Sequence, residues 1–132
     1  MKRGTIYLHM GFTFPDGQVK DKLFIILNTQ LNKEYFITCI TTSQQKWRAD
    51  REGCHNLDNF YVLRDNYDFF ANKTWVLFDE YYPMSKELLS EYITRGIITK
   101  KAEFREKTIR TIINCVSNSE DISGLYKSMI NR

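Results

Sequence analysis

The sequence has little proline, glycine and cysteine, and it lacks any long apolar run. Only 2 of its 132 residues are proline and 6 are glycine, which excludes collagen-like and low-complexity chains. No segment approaches the roughly 18 consecutive apolar residues that a membrane-spanning helix needs, so we expect no membrane association. The three cysteines, Cys39, Cys54 and Cys115, form an odd and widely spaced set, which argues against a secreted disulfide framework.

The first residues also lack the apolar core of a signal peptide, because Met1-Lys2-Arg3-Gly4-Thr5 leads directly into a strand-like segment. We therefore expect a cytoplasmic protein with reduced cysteines. Ile, Leu, Val and Phe make up 36 of the 132 residues, enough for a folded core, and the length fits one domain over residues 1–132. The net charge is +3 and 14% of residues are aromatic, which permits nucleic-acid binding without requiring it.

The first two-thirds of the chain show strand patterns and the last third shows helical ones. β-Branched and aromatic runs predict strands over residues 5–10, 22–28, 35–41, 60–63 and 74–78, the second and third of which form a hairpin. Helical spacing predicts helices over residues 86–94 and about 101–117, and a third apolar stripe spans residues 122–130. We expect an α+β fold, a small and strongly bent β-barrel over about residues 1–80 with helices over about 84–131.

A long polar connection, residues 42–59, contains three cations and a tryptophan close together. Lys46, Arg48 and Arg51 surround Trp47, and grooves for single-stranded nucleic acid combine such charges, for phosphates, with rings, for bases. The alternative is a solvated loop with one anchoring tryptophan. The neighbouring His55 is a candidate proton donor, because the ordinary pKa of histidine lies near neutrality.

Hydroxyl and carboxylate side chains follow two of the predicted strands. Thr42 and Ser43 end one strand, where hydroxyls can donate to a phosphate oxygen, although they can also simply bond to their own backbone. Asp79 and Glu80 end another strand, and since adjacent side chains point to opposite faces, only one can face a site. The alternative for this pair is a solvated strand end.

No metal or cofactor site is predicted. Cys54-His55 lacks the second pair of ligands that zinc sites require, whereas Cys39 and Cys115 lie in apolar patterns typical of a core. Phosphate-binding glycine loops and the zinc-protease motif are absent from the sequence.

The order of these segments resembles that of the MazF/PemK family of toxins. Arg3-Gly4-Thr5-Ile6-Tyr7-Leu8 is similar to the family's opening strand, and the strand ending in Thr42-Ser43 is similar to one that ends in Thr-Ser. Residues 74–77 with Asp79 resemble a later family strand, and residues 84–89 followed by Gly96 resemble its first helix. The resemblance covers nearly the whole chain, in order.

The resemblance implies an SH3-like β-barrel of about five to seven strands that forms a homodimer. It also implies an endoribonuclease that cleaves single-stranded RNA by 2′-hydroxyl attack, without metal or cofactor, and that a cognate antitoxin protein inhibits. Thr42 and Ser43 match the family's hydroxyl pair, and Asp79 approximately matches its carboxylate base. In place of the family's arginine before proline stands Lys20-Asp21-Lys22, so Lys22 is the candidate for the positive charge.

Lysine lacks the bidentate fork of arginine, so a second hypothesis is a non-catalytic SH3-like module that binds protein or nucleic acid. The two hypotheses share one geometric prediction. In the predicted hairpin, Lys22 lies beside residues 41–43, and strand alternation turns Thr41 to the core and Thr42 to a groove.

Overall fold

The structure, a computed structural model, describes residues 1–32 and 34–131. Seven strands and three helices follow one another along the chain. The strands are β1 (Thr5–Thr13), β2 (Val19–Ile26), β3 (Thr38–Thr42), β4 (Gly53–His55), β5 (Phe60–Leu63), β6 (Thr74–Leu77) and β7 (Ile98–Glu103). The helices are α1 (Lys86–Thr94), between β6 and β7, and α2 (Glu106–Ser117) and α3 (Gly124–Ile130), after β7.

All seven strands form one antiparallel sheet in the order β4-β5-β6-β3-β2-β1-β7. The predicted hairpin is β2 and β3, in which Phe24 pairs with Ile40 and Ile26 pairs with Thr38. The turn between β1 and β2 contains Pro15, Asp16 and Gly17, and the positive φ of Gly17, 90°, is one that glycine adopts without strain.

The two faces of the sheet bury different partners because successive side chains along each strand alternate. One face, with Ile25 and Cys39, forms a core with the apolar side of α2, where Ile109, Ile112 and Val116 recur at helical spacing. The other face, with Phe24, packs against Leu89 of α1 near β1 and β2. The α+β prediction is therefore confirmed.

The closed barrel is not found. Within the described residues β4 and β7 are the two ends of the sheet order and do not pair with each other, so the SH3-like part of the prediction is not confirmed. The predicted helical region, residues 84–131, also contains a strand. Residues 98–103 pair with β1, where Thr5 lies opposite Glu103 and His9 opposite Ile98, and α2 begins only at Glu106.

The cysteine prediction was wrong for two of the three residues. Cys54 of β4 and Cys115 of α2 form a disulfide across 61 residues, with their Cα atoms 5.6 Å apart. Cys39 is a free, buried thiol, as predicted. The spacing of the cysteines in the sequence does not predict this pair, because β4 and α2 come together only when the helix packs on the sheet. No helix in the described part of the chain is long and apolar enough to cross a membrane.

Candidate nucleic-acid interface

A cleft of about 240 Å³ lies on the sheet face that carries α1, and we call it the basic cleft. Four cationic side chains line it, two from β2 and two from the connection after β3. The lining consists of Phe14, Asp16, Gln18, Lys20, Lys22, Ile40, Thr42, Gln44, Lys46, Arg48 and Leu77. The structure thus brings together the predicted Lys22, Thr42, Lys46 and Arg48.

Strand alternation explains the β2 side of the basic cleft. Phe24 is buried on this face, so Lys22 and Lys20, two and four residues earlier, point to the same face where the strand leaves the core. Lys22 is half-buried, whereas Lys20 is exposed. Sequence reasoning missed Lys20, although counting back from Phe24 in steps of two identifies it.

The connection after β3 is held over the sheet by hydrogen bonds to its backbone. The Trp75 indole nitrogen donates to the Ala49 carbonyl at 2.9 Å, and the Lys73 ammonium donates to the Asp50 carbonyl at 3.0 Å. Arg48 Nη1 donates to the Gln44 carbonyl at 3.1 Å, which closes a tight turn. These bonds place Lys46 and Arg48 opposite the β2 lysines.

The cations of the basic cleft outnumber the carboxylates, since Asp16 is the one carboxylate in its described lining. Within residues 1–32 and 34–131, Lys20, Lys22, Lys46 and Arg48 form no ion pair. Burial, followed by the positive charges of the other three, lowers the pKa of Lys22 below its ordinary value. Like charges gathered without an ion-pair partner give this face of the sheet a positive electrostatic potential, which attracts anions.

The two threonines at the end of β3 have the predicted orientations. Thr41 is 4% exposed, and its hydroxyl donates to the Leu23 carbonyl at 3.0 Å. Thr42 is half-buried and lines the basic cleft, where its hydroxyl oxygen accepts the Gln44 N–H at 3.1 Å. Because that oxygen acts as the acceptor in this bond, the hydroxyl hydrogen of Thr42 stays available to a ligand.

Asp79 lies outside the basic cleft. It lines an adjoining cleft of about 320 Å³ together with Glu80 and Tyr82, and the Tyr82 hydroxyl donates to Glu80 at 3.0 Å. Asp16 and Arg48 line both clefts. Asp16 is therefore the carboxylate that shares the described lining of the basic cleft with the four cations, and its position in the turn between β1 and β2 did not mark it as a site residue in the sequence.

The remaining predicted RNA-binding residues lie apart from the lining. The His55 ring stacks on Phe60 with centroids 4.7 Å apart, and its Nε2 lies 2.7 Å from the Arg51 carbonyl, so neither residue enters the basic cleft. Trp47 is 72% exposed, and the Arg48 guanidinium lies 5.3 Å from its ring centroid. The tryptophan ring is thus an open surface directly beside a cation of the cleft.

A third and larger cleft, of about 550 Å³, lies past the end of β3, and we call it the strand-end cleft. It contains the predicted Ser43, and it shares Lys22, Thr42 and Gln44 with the basic cleft. Its lining consists of Leu8, Asp21, Lys22, Leu23, Thr41, Thr42, Ser43, Gln44, Phe69, Phe70, Ala71, Asn72 and Thr74.

In the described ranges, residues 1–32 and 34–131, no group of three or more His, Cys, Asp or Glu side chains is placed to hold a metal ion. Comparisons with protein-family models, with curated proteins and with solved structures find no match for this chain. The resemblance to MazF/PemK toxins therefore stays a prediction.

Proposed function

We propose that the protein is an endoribonuclease that binds single-stranded RNA in the basic cleft. One observation carries the proposal: four cations that form no ion pair among the described residues line the same cleft as Thr42. Phosphate groups supply the missing negative charge, and binding them releases counterions from the RNA.

The features beside the cleft favour a single strand over a duplex. Trp47 is exposed and held next to Arg48, and the bases of a single strand can stack on such a ring, whereas paired bases cannot. The cleft is also small, about 240 Å³, which suits one phosphate and its sugar at a time.

The proposed reaction is an internal transfer that needs no water. A base removes the proton of the 2′-hydroxyl, the 2′-oxygen bonds to phosphorus, and the bond from phosphorus to the 5′-oxygen breaks. The leaving 5′-oxygen takes a proton from solvent and the base returns the proton of the 2′-hydroxyl to solvent, so that no proton is gained or lost overall. The products are a 2′,3′-cyclic phosphate and a 5′-hydroxyl, and no metal or cofactor takes part.

Residues of the basic cleft and of its borders have distinct roles in this scheme. Lys22 and Arg48 neutralise the charge that grows on the phosphate oxygens, and Thr42 donates its free hydroxyl hydrogen to one of them. Ser43 supplies a second hydroxyl at the strand end. Two carboxylates are candidates for the base: Asp79, which the family resemblance implies, and Asp16, which lines the basic cleft itself.

The test is incubation of the purified protein with a mixed-sequence RNA in excess chelator, followed by analysis of the product ends. We expect 2′,3′-cyclic phosphates. Thr42→Ala should slow cleavage roughly 10²–10³-fold, on the precedent of removing one donor from an oxyanion site. Lys22→Gln should have a similar effect. Lys127→Gln, on α3, is the matched control and should cleave normally.

Comparison of Asp16→Asn with Asp79→Asn decides which carboxylate is the base, since only the base should cause a large loss. No cleavage of any RNA by the wild-type protein, together with no growth arrest when it is induced in cells, would contradict the nuclease.

A second candidate is a non-catalytic module that binds RNA in the same cleft. The position of Asp79 in the adjoining cleft favours it, because the carboxylate that the resemblance implies does not face Thr42. RNA binding without turnover, weakened by Trp47→Ala, would support this candidate. A cyclic-phosphate product made by the wild-type protein and lost in Thr42→Ala would exclude it.

We further propose the biological setting that the family resemblance implies: a homodimer held inactive by a cognate antitoxin. A small open reading frame that encodes an acidic protein directly beside this one would support the antitoxin. Sedimentation equilibrium gives the mass of the particle in solution, and a mass near 15.8 kDa, that of one chain, would exclude the homodimer.

A further inference from the structure

We propose that the strand-end cleft is a subsite for one nucleobase of the bound strand, with Phe69 as the stacking ring and Asn72 as a reader of the base edge. This inference rests on the proposed function, and it adds a site that selects which nucleotide lies next to the basic cleft.

The lining of the strand-end cleft suits an uncharged, planar and hydrogen-bonding ligand. Apolar walls come from Leu8, Leu23 and Phe70, and Phe69 is 39% exposed with its ring edge-to-face on Phe70, their centroids 5.2 Å apart. A ring that is open on one side and fixed on the other is a platform for stacking. The volume, about 550 Å³, lies in the usual range for small-ligand clefts and accommodates a nucleoside.

The polar groups at the rim are free to bind. Among the described residues, the side chains of Ser43, Gln44 and Asn72 make no hydrogen bond within the protein. Amides and hydroxyls both donate and accept, which is what the edge of a base requires. The contact of an amide with a base edge is a recurrent means of discriminating between bases.

The charges in the strand-end cleft disfavour a second phosphate. Lys22 is its only cation in the described lining, and it is opposed by Asp21, whose Oδ1 accepts the Gly11 N–H at 2.8 Å. A phosphate in this cleft would meet the Asp21 carboxylate, whereas a neutral base would not. The anionic part of the ligand therefore belongs in the basic cleft and the base in the strand-end cleft.

Three shared residues connect the two clefts. Lys22, Thr42 and Gln44 line both, so they form the boundary between them. A nucleotide with its phosphate on Lys22 and Thr42 in the basic cleft can therefore place its base across this boundary, in the strand-end cleft. The phosphate and the base of one nucleotide thus match the basic cleft and the strand-end cleft, which adjoin each other.

The test uses short RNA oligonucleotides with 2′-O-methyl groups, which bind but cannot be cleaved, and measures affinity by fluorescence anisotropy. Each position is replaced in turn by an abasic nucleotide, which keeps the phosphate and removes the base. We expect a position, distinct from any whose penalty depends on Trp47, at which the abasic replacement weakens binding about tenfold or more. In Phe69→Ala, that penalty should fall to less than about twofold, while Phe69→Tyr, which retains the ring, should keep it.

Asn72→Ala, at an exposed loop position, serves as a second variant that does not depend on the packing of Phe69. It should reduce the difference in affinity between oligonucleotides that carry different bases at the sensitive position. Trp47→Ala is the matched aromatic control and should leave the penalty at that position intact, although it weakens binding overall.

The outcomes separate the two proposals. Oligonucleotides that bind with the same set of abasic penalties to wild type, Phe69→Ala and Asn72→Ala would overturn the base subsite and leave RNA binding in place. Failure of every oligonucleotide to bind the wild-type protein would overturn RNA binding, and the subsite with it.

Discussion

Opening the disulfide between Cys54 and Cys115 should lower the stability of the protein by several kcal/mol. The bond closes a loop across 61 residues, from the edge strand β4 to helix α2. In the chain-entropy model, a crosslink across a loop of that length stabilises the folded state by about 4 kcal/mol at 25 °C, because it restricts the unfolded chain. Cys54 is exposed at the surface, whereas Cys115 is buried.

The measurement is urea unfolding of the wild type with and without reductant, compared with Cys54→Ser. The oxidised wild type should have the highest unfolding midpoint, and reduction should lower it to about that of the variant. The variant is also the control for the reductant, because reduction should leave its midpoint unchanged.

Counting thiols tests the premise independently of stability. The unfolded, unreduced wild-type protein should react with a thiol reagent at one cysteine, Cys39, which is the free cysteine of the structure. Three reactive thiols in the oxidised preparation, or a midpoint that reduction leaves unchanged, would refute the reasoning.

Three further predictions concern buried polar groups. Burial lowers the pKa of His9 below 6.5, so as the pH falls below about 6.5 the histidine is protonated first in the unfolded state and the stability of the folded state decreases. In urea unfolding, His9→Phe should remove this part of the stability loss between pH 7.5 and pH 5. Asn28 is fully buried, and its Oδ1 accepts the Ile37 N–H at 2.7 Å, so Asn28→Ala should cost about 1–3 kcal/mol of unfolding free energy in the same assay. Trp75→Phe removes the donor to the Ala49 carbonyl, which should cost about 1 kcal/mol of unfolding free energy. It should also weaken RNA binding, measured by fluorescence anisotropy, because the connection that carries two cations of the basic cleft is then held less firmly. Normal RNA affinity in Trp75→Phe would show that this bond does not position the cations.

Local sequence patterns predicted the structure of a segment correctly where that segment is stabilised mainly by its own residues. Strand β5 has the predicted bounds, and α1 begins after Ser85, whose Oγ accepts the Leu88 N–H at 3.1 Å, as its capping role requires. Alternation along β3 correctly predicted that Thr41 points inward and that Thr42 points toward the basic cleft. The predicted hairpin of β2 and β3 also placed Lys22 correctly, since it lines the same cleft as Thr42.

Contacts between distant segments decided the rest. Residues 98–103 form a strand because β1 offers them an unpaired edge, and their charged side chains carry little information about that pairing. Ser119 is buried and donates to the side chain of Asn59, and α3 is capped by Ser123, because the chain before α3 packs against the start of β5.

The sequence by itself determined which residues alternate, cap and turn, and hence most of the helices and strands. Only the tertiary structure decided that the sheet stays open, that Cys54 meets Cys115, and that Asp16 and Lys20 join the basic cleft while Asp79 does not. The physical reason is the distance along the chain over which each interaction acts. Periodicity and capping act within a few residues, whereas sheet order, disulfide pairing and the convergence of charges depend on surfaces that meet only after the chain has folded.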